Sequence, residues 1–408
     1  MRKEYLRVDF PTETVKEGTV RLRVPKLKSF VKSPSEYAPS KAPVFYNPVM
    51  ELNRDIAVLA VQAYQHTVKH EIIISEALAA CGAMGIRFAA EVDSVKEVVM
   101  TDINARAAEF ASHNVRLNAL RDRVSVTNAD ANFLLSSHSA PRKRFDVINI
   151  DPFGSPVLFL DTAIRALRDG GLLALTATDV ASLCGVHPKA CIRRYRGKPL
   201  RIEYCHELAI RLLAGCLVTT AAEHDICINI IFSHSSDHYI RVYATAKYGA
   251  RRADECVKNM GYVFHCFKCL HRETSKQFAY VNNEGKCVEC GSKLDVAGPL
   301  WLGKIVDKTF CDLMKKDLER RPFRYAARVR KLLDLAGNEA EAPVGYYVID
   351  KLCSVLKMPV PPIHQVAQEL RKVGFYVFLT HFNPKALKSD VSASKIKEVL
   401  CQRAETVW

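Results

Sequence analysis

The chain has 408 residues, of which 49% are hydrophobic and 25% charged, with a formal net charge of +15. That hydrophobic share buries a sizeable core and excludes a disordered chain, and the length favours two or three domains. The excess of Lys and Arg selects an anionic partner, nucleic acid or a membrane surface.

No apolar run approaches the roughly 18 to 20 residues that span a bilayer. Met1-Arg2-Lys3-Glu4-Tyr5-Leu6-Arg7 lacks the apolar core of a secretion signal. A soluble, cytoplasmic protein with no membrane partner is expected, its 14 cysteines mostly reduced. Alternating apolar and polar positions over residues 5–10 and 19–24, with Glu17-Gly18 between, predict an N-terminal hairpin. Residues 25–48, rich in Lys, Ser and Pro, read as a long loop that could lie over a site. From residue 71 strands and helices alternate: strand 71–79, a helix after Gly85, strand 97–102, helix 104–117 and strand 124–129. Strand 145–150, helix 157–168, strand 171–178, helix 203–219 and strands 225–233 and 239–247 follow. This alternation predicts an α/β, doubly wound parallel sheet. Only residues 234–238 separate the last two strands, so those two must pair antiparallel at one edge. Such an edge hairpin marks the Rossmann-like class I methyltransferase sheet rather than a nicotinamide-binding one, a distinction that comes from known folds and not from periodicity.

After Gly249 the sequence turns Cys-bearing, Lys-rich and irregular to about residue 300, which places a domain boundary near 248 and divides the chain into residues 1–248 and 249–408. Residues 304–336 read as helical and basic. Helical patterns at 346–356 and 362–373, then a strand-like 374–380, give a winged-helix-like order.

Three strand ends carry ligand-like groups. Strand 71–79 runs into Cys81-Gly82-Ala83-Met84-Gly85-Ile86-Arg87, where Gly82 lets the backbone turn sharply and approach a nucleotide. A tight strand-to-helix turn accounts for the glycines equally well. About twenty residues on, Asp102 ends the next strand, where a carboxylate can accept from both ribose hydroxyls. At the third strand end Asp130 can accept from an adenine amino group and Ala131 can offer its backbone amide. Helix capping is the alternative for each acid, although it fits all three strand ends poorly. Asp151-Pro152-Phe153-Gly154-Ser155-Pro156 closes the apolar run 145–150. An acid, Pro and an aromatic at a strand end are what amino methyltransferases place against a planar base, whereas Asp-Pro as a plain turn is the alternative.

Phe45-Tyr46-Asn47-Pro48, Asn53-Arg54-Asp55, Gly85-Ile86-Arg87, Asp151-Pro152-Phe153-Gly154, Thr176-Ala177-Thr178-Asp179 and Tyr204-Cys205-His206-Glu207 together resemble, in order, the tRNA guanosine-26 N2-dimethyltransferase family, Trm1. The resemblance spans nearly the whole chain. It implies that Arg54, Arg87, Asp102, Asp130 and Ala131 contact S-adenosylmethionine and that Phe45 covers one face of the target base. Phe153 would stack on the other face. The Asp151 carboxylate and Pro152 carbonyl would accept from the 2-amino group of guanine, and Asp151 would receive the released proton. For Arg54 a helix surface charge is the alternative, and for each Phe ordinary core packing. A base inside folded tRNA must flip out to reach such a pocket.

Cys266-Phe267-Lys268-Cys269 and Cys287-Val288-Glu289-Cys290 form two C-x-x-C knuckles 17 residues apart, the spacing of a closed, structural zinc ribbon. His265 and His271 are alternative ligands beside the first knuckle. Two basic stretches are expected to grip tRNA phosphates: a loop-like one with Arg193, Arg194, Arg196 and Lys198, and a second from Lys315 through Lys331 with Arg320, Arg321, Arg324, Arg328 and Arg330, which spans Pro322 and reads as two helical segments. A solvated face is the alternative for each. No obligate protein partner is evident. Competing functions are an amino methyltransferase for another RNA base or ribosomal RNA, and a non-catalytic RNA-binding protein. Intact Asp102, Asp130 and Asp151 argue against the latter.

Overall fold

The computed structural model describes residues 8–31, 39–276 and 285–407, with side chains described to residue 402. In chain order the elements are β1 (Thr12–Glu17), β2 (Val20–Pro25), α1 (Glu51–Val68), β3 (Ile72–Glu76), α2 (Ala83–Glu91), β4 (Val95–Asp102), α3 (Ala105–Leu117), β5 (Val124–Asn128), α4 (Ala131–Ser137) and β6 (Phe145–Ile150). Then come α5 (Leu160–Ala166), β7 (Leu167–Ala177), α6 (Val180–Leu183), α7 (Pro188–Tyr195), α8 (Cys205–Ala222), β8 (Ile226–Ser236), β9 (Tyr239–Tyr248), α9 (Ala250–Val257), β10 (Met260–His265), β11 (Arg272–Ser275) and β12 (Asp295–Trp301). The chain closes with α10 (Lys308–Leu318), α11 (Ala326–Asn338), β13 (Tyr347–Val348), α12 (Ile349–Leu356), α13 (Ile363–Lys372), β14 (Val377–Leu379), β15 (Ala386–Ser389) and α14 (Ala393–Val407).

Seven strands are hydrogen-bonded in the order β5-β4-β3-β6-β7-β9-β8. The ladders β5-β4, β4-β3, β3-β6 and β6-β7 are parallel, and β8 pairs with β9 antiparallel. This is the expected Rossmann-like sheet with its edge hairpin. All six residues of β6 are buried, so its apolar residues do not alternate with exposed ones, and its two polar residues, Asp146 and Asn149, are buried as well.

The chain divides into two compact units: one of Met1–Pro152, Leu158–Leu175 and Asp312–Lys331, the other of Phe153–Val157, Thr176–Cys311 and Leu332–Trp408. The first unit holds β3 to β6 and the N-terminal hairpin. That hairpin is shifted from the expected one: its first strand is β1 and not 5–10, of which 5–7 lie outside the described residues. Glu17 pairs with Val20 across a two-residue turn at Gly18 (φ 51°), so the strands must start on either side of it, and the pairing runs back to Thr12 opposite Pro25. A helix with no counterpart in the sequence reading is α1, buried from Glu51 through Gln65. Burial on every side removes the amphipathic stripe by which a helix is recognised.

In the second unit α8 is long and apolar enough to cross a membrane by composition, yet its apolar window is 78% buried within the protein. It packs on β8, α9 and β12 as a core helix. Its Glu207 is fully buried and is held 2.9 Å from Lys388 Nζ, which also reaches Glu339 at 3.3 Å. Burial pushes Glu339 up, but Lys388 and His381 outweigh it and hold the carboxyl at about 2. Further on, β11-β10-β12 and β13-β15-β14 form two small antiparallel sheets. The second carries α12, α13 and α14 around a core of Leu352, Leu370, Leu387 and Ile396.

Candidate active site

In the first unit β3 lies between β4 and β6; the chain leaves β3 toward β4 and leaves β6 toward β7, in opposite directions, which opens a crevice between the carboxyl ends of β3 and β6. The turn there needs two left-handed residues, Ala80 (φ 47°) and Gly82 (φ 83°). The Gly82 amide donates to Ala79 O at 2.7 Å and the Ala79 amide to Thr101 O at 2.8 Å, pinning the turn to the end of β4. A Cβ on Gly82 would lie 3.1 Å from both Ala111 Cβ and Ile86 Cδ1. Gly85 serves packing instead, since its Cβ would come 2.4 Å from Met100 Sδ, and its absence lets α2 lie against β4.

Asp102 at the end of β4 binds this turn directly. Its Oδ2 accepts from the Ala80 amide at 2.8 Å and its Oδ1 from the Asn104 amide at 2.9 Å. Each carboxylate oxygen has a second lone pair, so both can still accept from a vicinal diol. Asp130 caps α4, accepting from the Phe133 amide at 3.0 Å. Ala131, the first residue of α4, is buried, and an amide in that position has no intrahelical acceptor.

The two arginines are buried rather than exposed. Arg54 on α1 is 7% exposed and grips Glu17 through Nε at 2.6 Å and Nη2 at 2.5 Å, with a further bond from Nη2 to Asn47 O at 3.1 Å. Tyr46 donates to the same Glu17 carboxylate at 2.6 Å, and Arg54 sits over its ring. A helix surface charge is therefore the wrong picture of Arg54. Arg87 on α2 is wholly buried, 2.7 Å from Asp55 Oδ1, 2.9 Å from Glu91 Oε2 and 3.8 Å from Glu17 Oε2. Burial pushes Asp55 up to about 6 despite Arg87. Sequence reasoning missed Glu17, Asp55 and Glu91. The available signal was Asn53-Arg54-Asp55, three consecutive polar residues just before the apolar run 56–61.

Asp151 and Pro152 close β6, half-buried and buried respectively, and Phe45 is half-buried in the segment before α1. One strand over, Glu76 at the end of β3 is 2% exposed and accepts from Asn149 Nδ2 at 2.8 Å, another acid the sequence reading passed over. In the second unit Phe153 is 70% exposed. The turn that follows it is held by Thr178, whose Oγ1 accepts from the Gly154 amide at 2.7 Å and whose amide donates to Gly154 O at 2.9 Å. Asp179 accepts from Tyr195 Oη at 2.5 Å and Arg194 Nη1 at 2.9 Å, fastening α7. Thr178 is thus scaffolding for the aromatic turn, and Asp179 for α7.

The four knuckle cysteines converge. Cys266 Sγ lies 3.5 Å from Cys290 Sγ and Cys269 Sγ 3.4 Å from Cys287 Sγ, all four within 4.8 Å of one another. Both knuckles end on a left-handed residue, Leu270 (φ 66°) and Gly291 (φ 67°). Tetrahedral zinc at about 2.3 Å from each sulfur spaces the sulfurs by about 3.8 Å, so the donor set fits. The histidines turn elsewhere: His265 Nδ1 meets Tyr204 Oη at 3.2 Å and His271 Nδ1 meets Glu289 Oε1 at 3.1 Å.

Of the basic residues, Arg193 and Arg194 lie on α7 and not in a loop, with Pro188 at its first position and Arg196 as its left-handed cap. An eight-residue helix burying only Cys191 and Tyr195 shows too little periodicity to be read from sequence. Arg196 reaches Glu223 at 3.2 Å, and Lys198 bridges to Gly298 through its backbone. Around Pro322 the two helical segments are α10 and α11. Arg320 and Arg324 are exposed, but Arg321 bonds Glu91 O and, at 3.1 Å, Gln62 Oε1, and so ties the first unit together.

The profile of the family described as N2,N2-dimethylguanosine tRNA methyltransferase matches residues 18–401. A tRNA (guanine(26)-N(2))-dimethyltransferase of Methanothermobacter thermautotrophicus is 42% identical over 387 residues, covering 95% of this chain and 98% of the relative. A tRNA (guanine(26)-N(2)/guanine(27)-N(2))-dimethyltransferase of Aquifex aeolicus is 34% identical over 390 residues, covering 94% of each. Among solved structures, Trm1 from Pyrococcus horikoshii in complex with S-adenosyl-L-methionine superposes with a TM-score of 0.83 at 32% identity, covering 95% of this chain and 99% of that one. With matches that run nearly end to end, the chain belongs to the N2,N2-dimethylguanosine tRNA methyltransferase family.

Proposed function

We propose that the protein transfers methyl groups from S-adenosylmethionine to the 2-amino group of guanosine 26 in tRNA, once and then again. The observation that carries this is the placement of Asp102 and Asp151 at the carboxyl ends of the two strands flanking β3, one to hold a ribose and the other to face a base. The cofactor supplies an activated methyl sulfonium. Asp102 orients it through the ribose diol, the left-handed Gly82 turn brings its backbone toward it, and the Ala131 amide and Asp130 carboxylate address the adenine edge. The resemblance assigns Arg54 and Arg87 to the cofactor as well, with their guanidinium groups held by Glu17 and Asp55. Asp151 and the Pro152 carbonyl accept from the guanine 2-amino group, localising a lone pair otherwise spread into the ring, and Asp151 takes the released proton. Positioning supplies much of the remaining acceleration. Phe153 and Phe45 are assigned to stacking on the flipped base. The exposed cations Arg193, Arg194, Arg196, Lys198, Arg320 and Arg324 are assigned to phosphates, and Arg321 to the protein interior. Residues 1–248 form the catalytic domain in this reading and 249–408 the tRNA-contacting one, in a soluble, cytoplasmic enzyme.

The test uses tRNA transcripts carrying guanosine or adenosine at position 26, with modified nucleosides quantified by mass spectrometry. Dimethylguanosine should form only with guanosine there. Methylation indifferent to the replacement would discard the target and keep the chemistry. Asp102→Ala should weaken S-adenosylmethionine binding by about tenfold or more, since hydrogen bonds to a charged acceptor contribute about 1.5–3 kcal/mol. Unchanged affinity by calorimetry would remove Asp102 from the ribose site.

The Cys266, Cys269, Cys287 and Cys290 set is assigned to one structural zinc ion. Cys287→Ser should purify with that ion missing by elemental analysis and with earlier melting of the second unit. Full occupancy in this variant would end the ribbon assignment.

A further inference from the structure

Away from the four-cysteine cluster, a second group of soft ligands converges within the second unit. Cys184 caps α6, while Cys205 and His206 are the first two residues of α8. Their two sulfurs and one ring nitrogen lie within 4.8 Å of one another, with Cys184 Sγ 3.8 Å from His206 Nδ1. Around tetrahedral zinc, with bonds of about 2.3 Å to sulfur and about 2.0–2.1 Å to nitrogen, a sulfur and a nitrogen ligand stand about 3.6 Å apart. The observed spacing is already close to that of two ligands on one ion.

The backbone holds these groups in place from two sides. The Cys184 amide donates to Val180 O at 2.7 Å, and Gly185 (φ 85°) follows directly. A Cβ on Gly185 would lie 2.8 Å from Arg201 N and 2.9 Å from Leu200 C, so the turn is pressed against the segment that leads into α8. The Cys205 amide donates to Ile202 O at 3.1 Å, which fixes the start of the helix. Cys184 is buried, whereas Cys205 and His206 are half-buried, so an ion has a route in. Ser235 Oγ lies 3.4 Å from the same His206 Nδ1 that faces the thiols.

We propose that Cys184, Cys205 and His206 form a second metal site for a thiophilic divalent ion of the zinc class. The ion is bound by two thiolates and imidazole Nδ1, and its fourth position goes to water or to the Ser235 hydroxyl. Binding releases the two thiol protons to solvent. Three protein ligands with one open position distinguish this site from the closed four-cysteine set.

The full chain, purified without chelator and dialysed against zinc-free buffer, is assayed for zinc per chain by elemental analysis and for free thiols under non-reducing conditions. Wild type should carry one zinc beyond the four-cysteine complement, and Cys205→Ser and His206→Ala should each lose that one. Because the reference count rests on the four-cysteine assignment, Cys287→Ser is measured alongside. Zinc lost on Cys205→Ser but not on Cys287→Ser would keep this site and sink the ribbon. Cobalt substitution of the wild-type chain gives a reading that needs no variant: d–d and thiolate charge-transfer bands should report two environments, one of four thiolates and one of two thiolates with an imidazole. A single four-thiolate environment, zinc unaffected by Cys205→Ser, or a thiol count two short because Cys184 and Cys205 have joined as a disulfide would each overturn the proposal.

Discussion

Asp151→Ala should lower the single-turnover rate of methyl transfer by about 10²–10⁴, the range a positioned acid–base group contributes, while S-adenosylmethionine binding stays unchanged by calorimetry. The separation is expected because Gly82, Asp102, Asp130 and Ala131, the residues proposed for the cofactor, lie on the turn after β3 and at the ends of β4 and β5, whereas Asp151 follows β6. The substituted residue is half-buried at a strand end, so the six buried residues of β6 should keep their packing. Asp151→Asn divides the two roles given to this carboxylate. An amide oxygen still accepts from the guanine amino group but takes no proton at neutral pH. A rate near wild type in Asn would assign the proton to water; a rate as low as in Ala would assign catalysis to the charge. Loss of cofactor binding in either variant would make the residue structural.

The parts of this molecule legible in its sequence are those whose signal is local. The run 145–150 ends on Asp-Pro, and the strand is found there residue for residue as β6. Asp102, singled out by its spacing from the glycine turn, is found as the last residue of β4, hydrogen-bonded to that turn. The four cysteines announce their convergence through two short spacings. What the sequence conceals depends on partners far along the chain. Arg54 meets Glu17 across 37 residues, and Arg321 meets Glu91 across 230. Neither pairing leaves a periodic trace, so Arg321 read as one more phosphate contact. The helix α1 escaped for the opposite reason, because a segment buried on all sides has no polar face to set against the apolar one. Asp130 shows a third kind of ambiguity: capping a helix and addressing a ligand both call for an acid at a strand-to-helix junction, and the structure shows the cap.

Arg87→Met should cost about 3–5 kcal/mol of stability, the range for removing one partner from a buried ion pair, and lower the melting temperature on the order of 10 °C. The methionine fills much of the space, but Asp55, Glu91 and Glu17 lose the guanidinium that faces all three. Its pH dependence gives the mechanism away. Burial already pushes Asp55 up to about 6 with Arg87 in place, and without that cation its carboxyl rises further above its unfolded value. The folded variant then holds more protons than the unfolded chain between those values, so its stability increases as pH falls. The deficit against wild type should accordingly be largest near pH 8 and shrink toward pH 5. Replacing Glu91 by Gln in the same chain should recover part of the loss by removing one stranded charge. The resemblance to the family assigns Arg87 to the cofactor, and the two roles separate cleanly. A variant that melts like wild type at every pH yet binds S-adenosylmethionine weakly would place Arg87 on the ligand. A variant that melts early and, once folded at low temperature, binds with ordinary affinity would leave Arg87 to its ion pairs, holding α1 and α2 together.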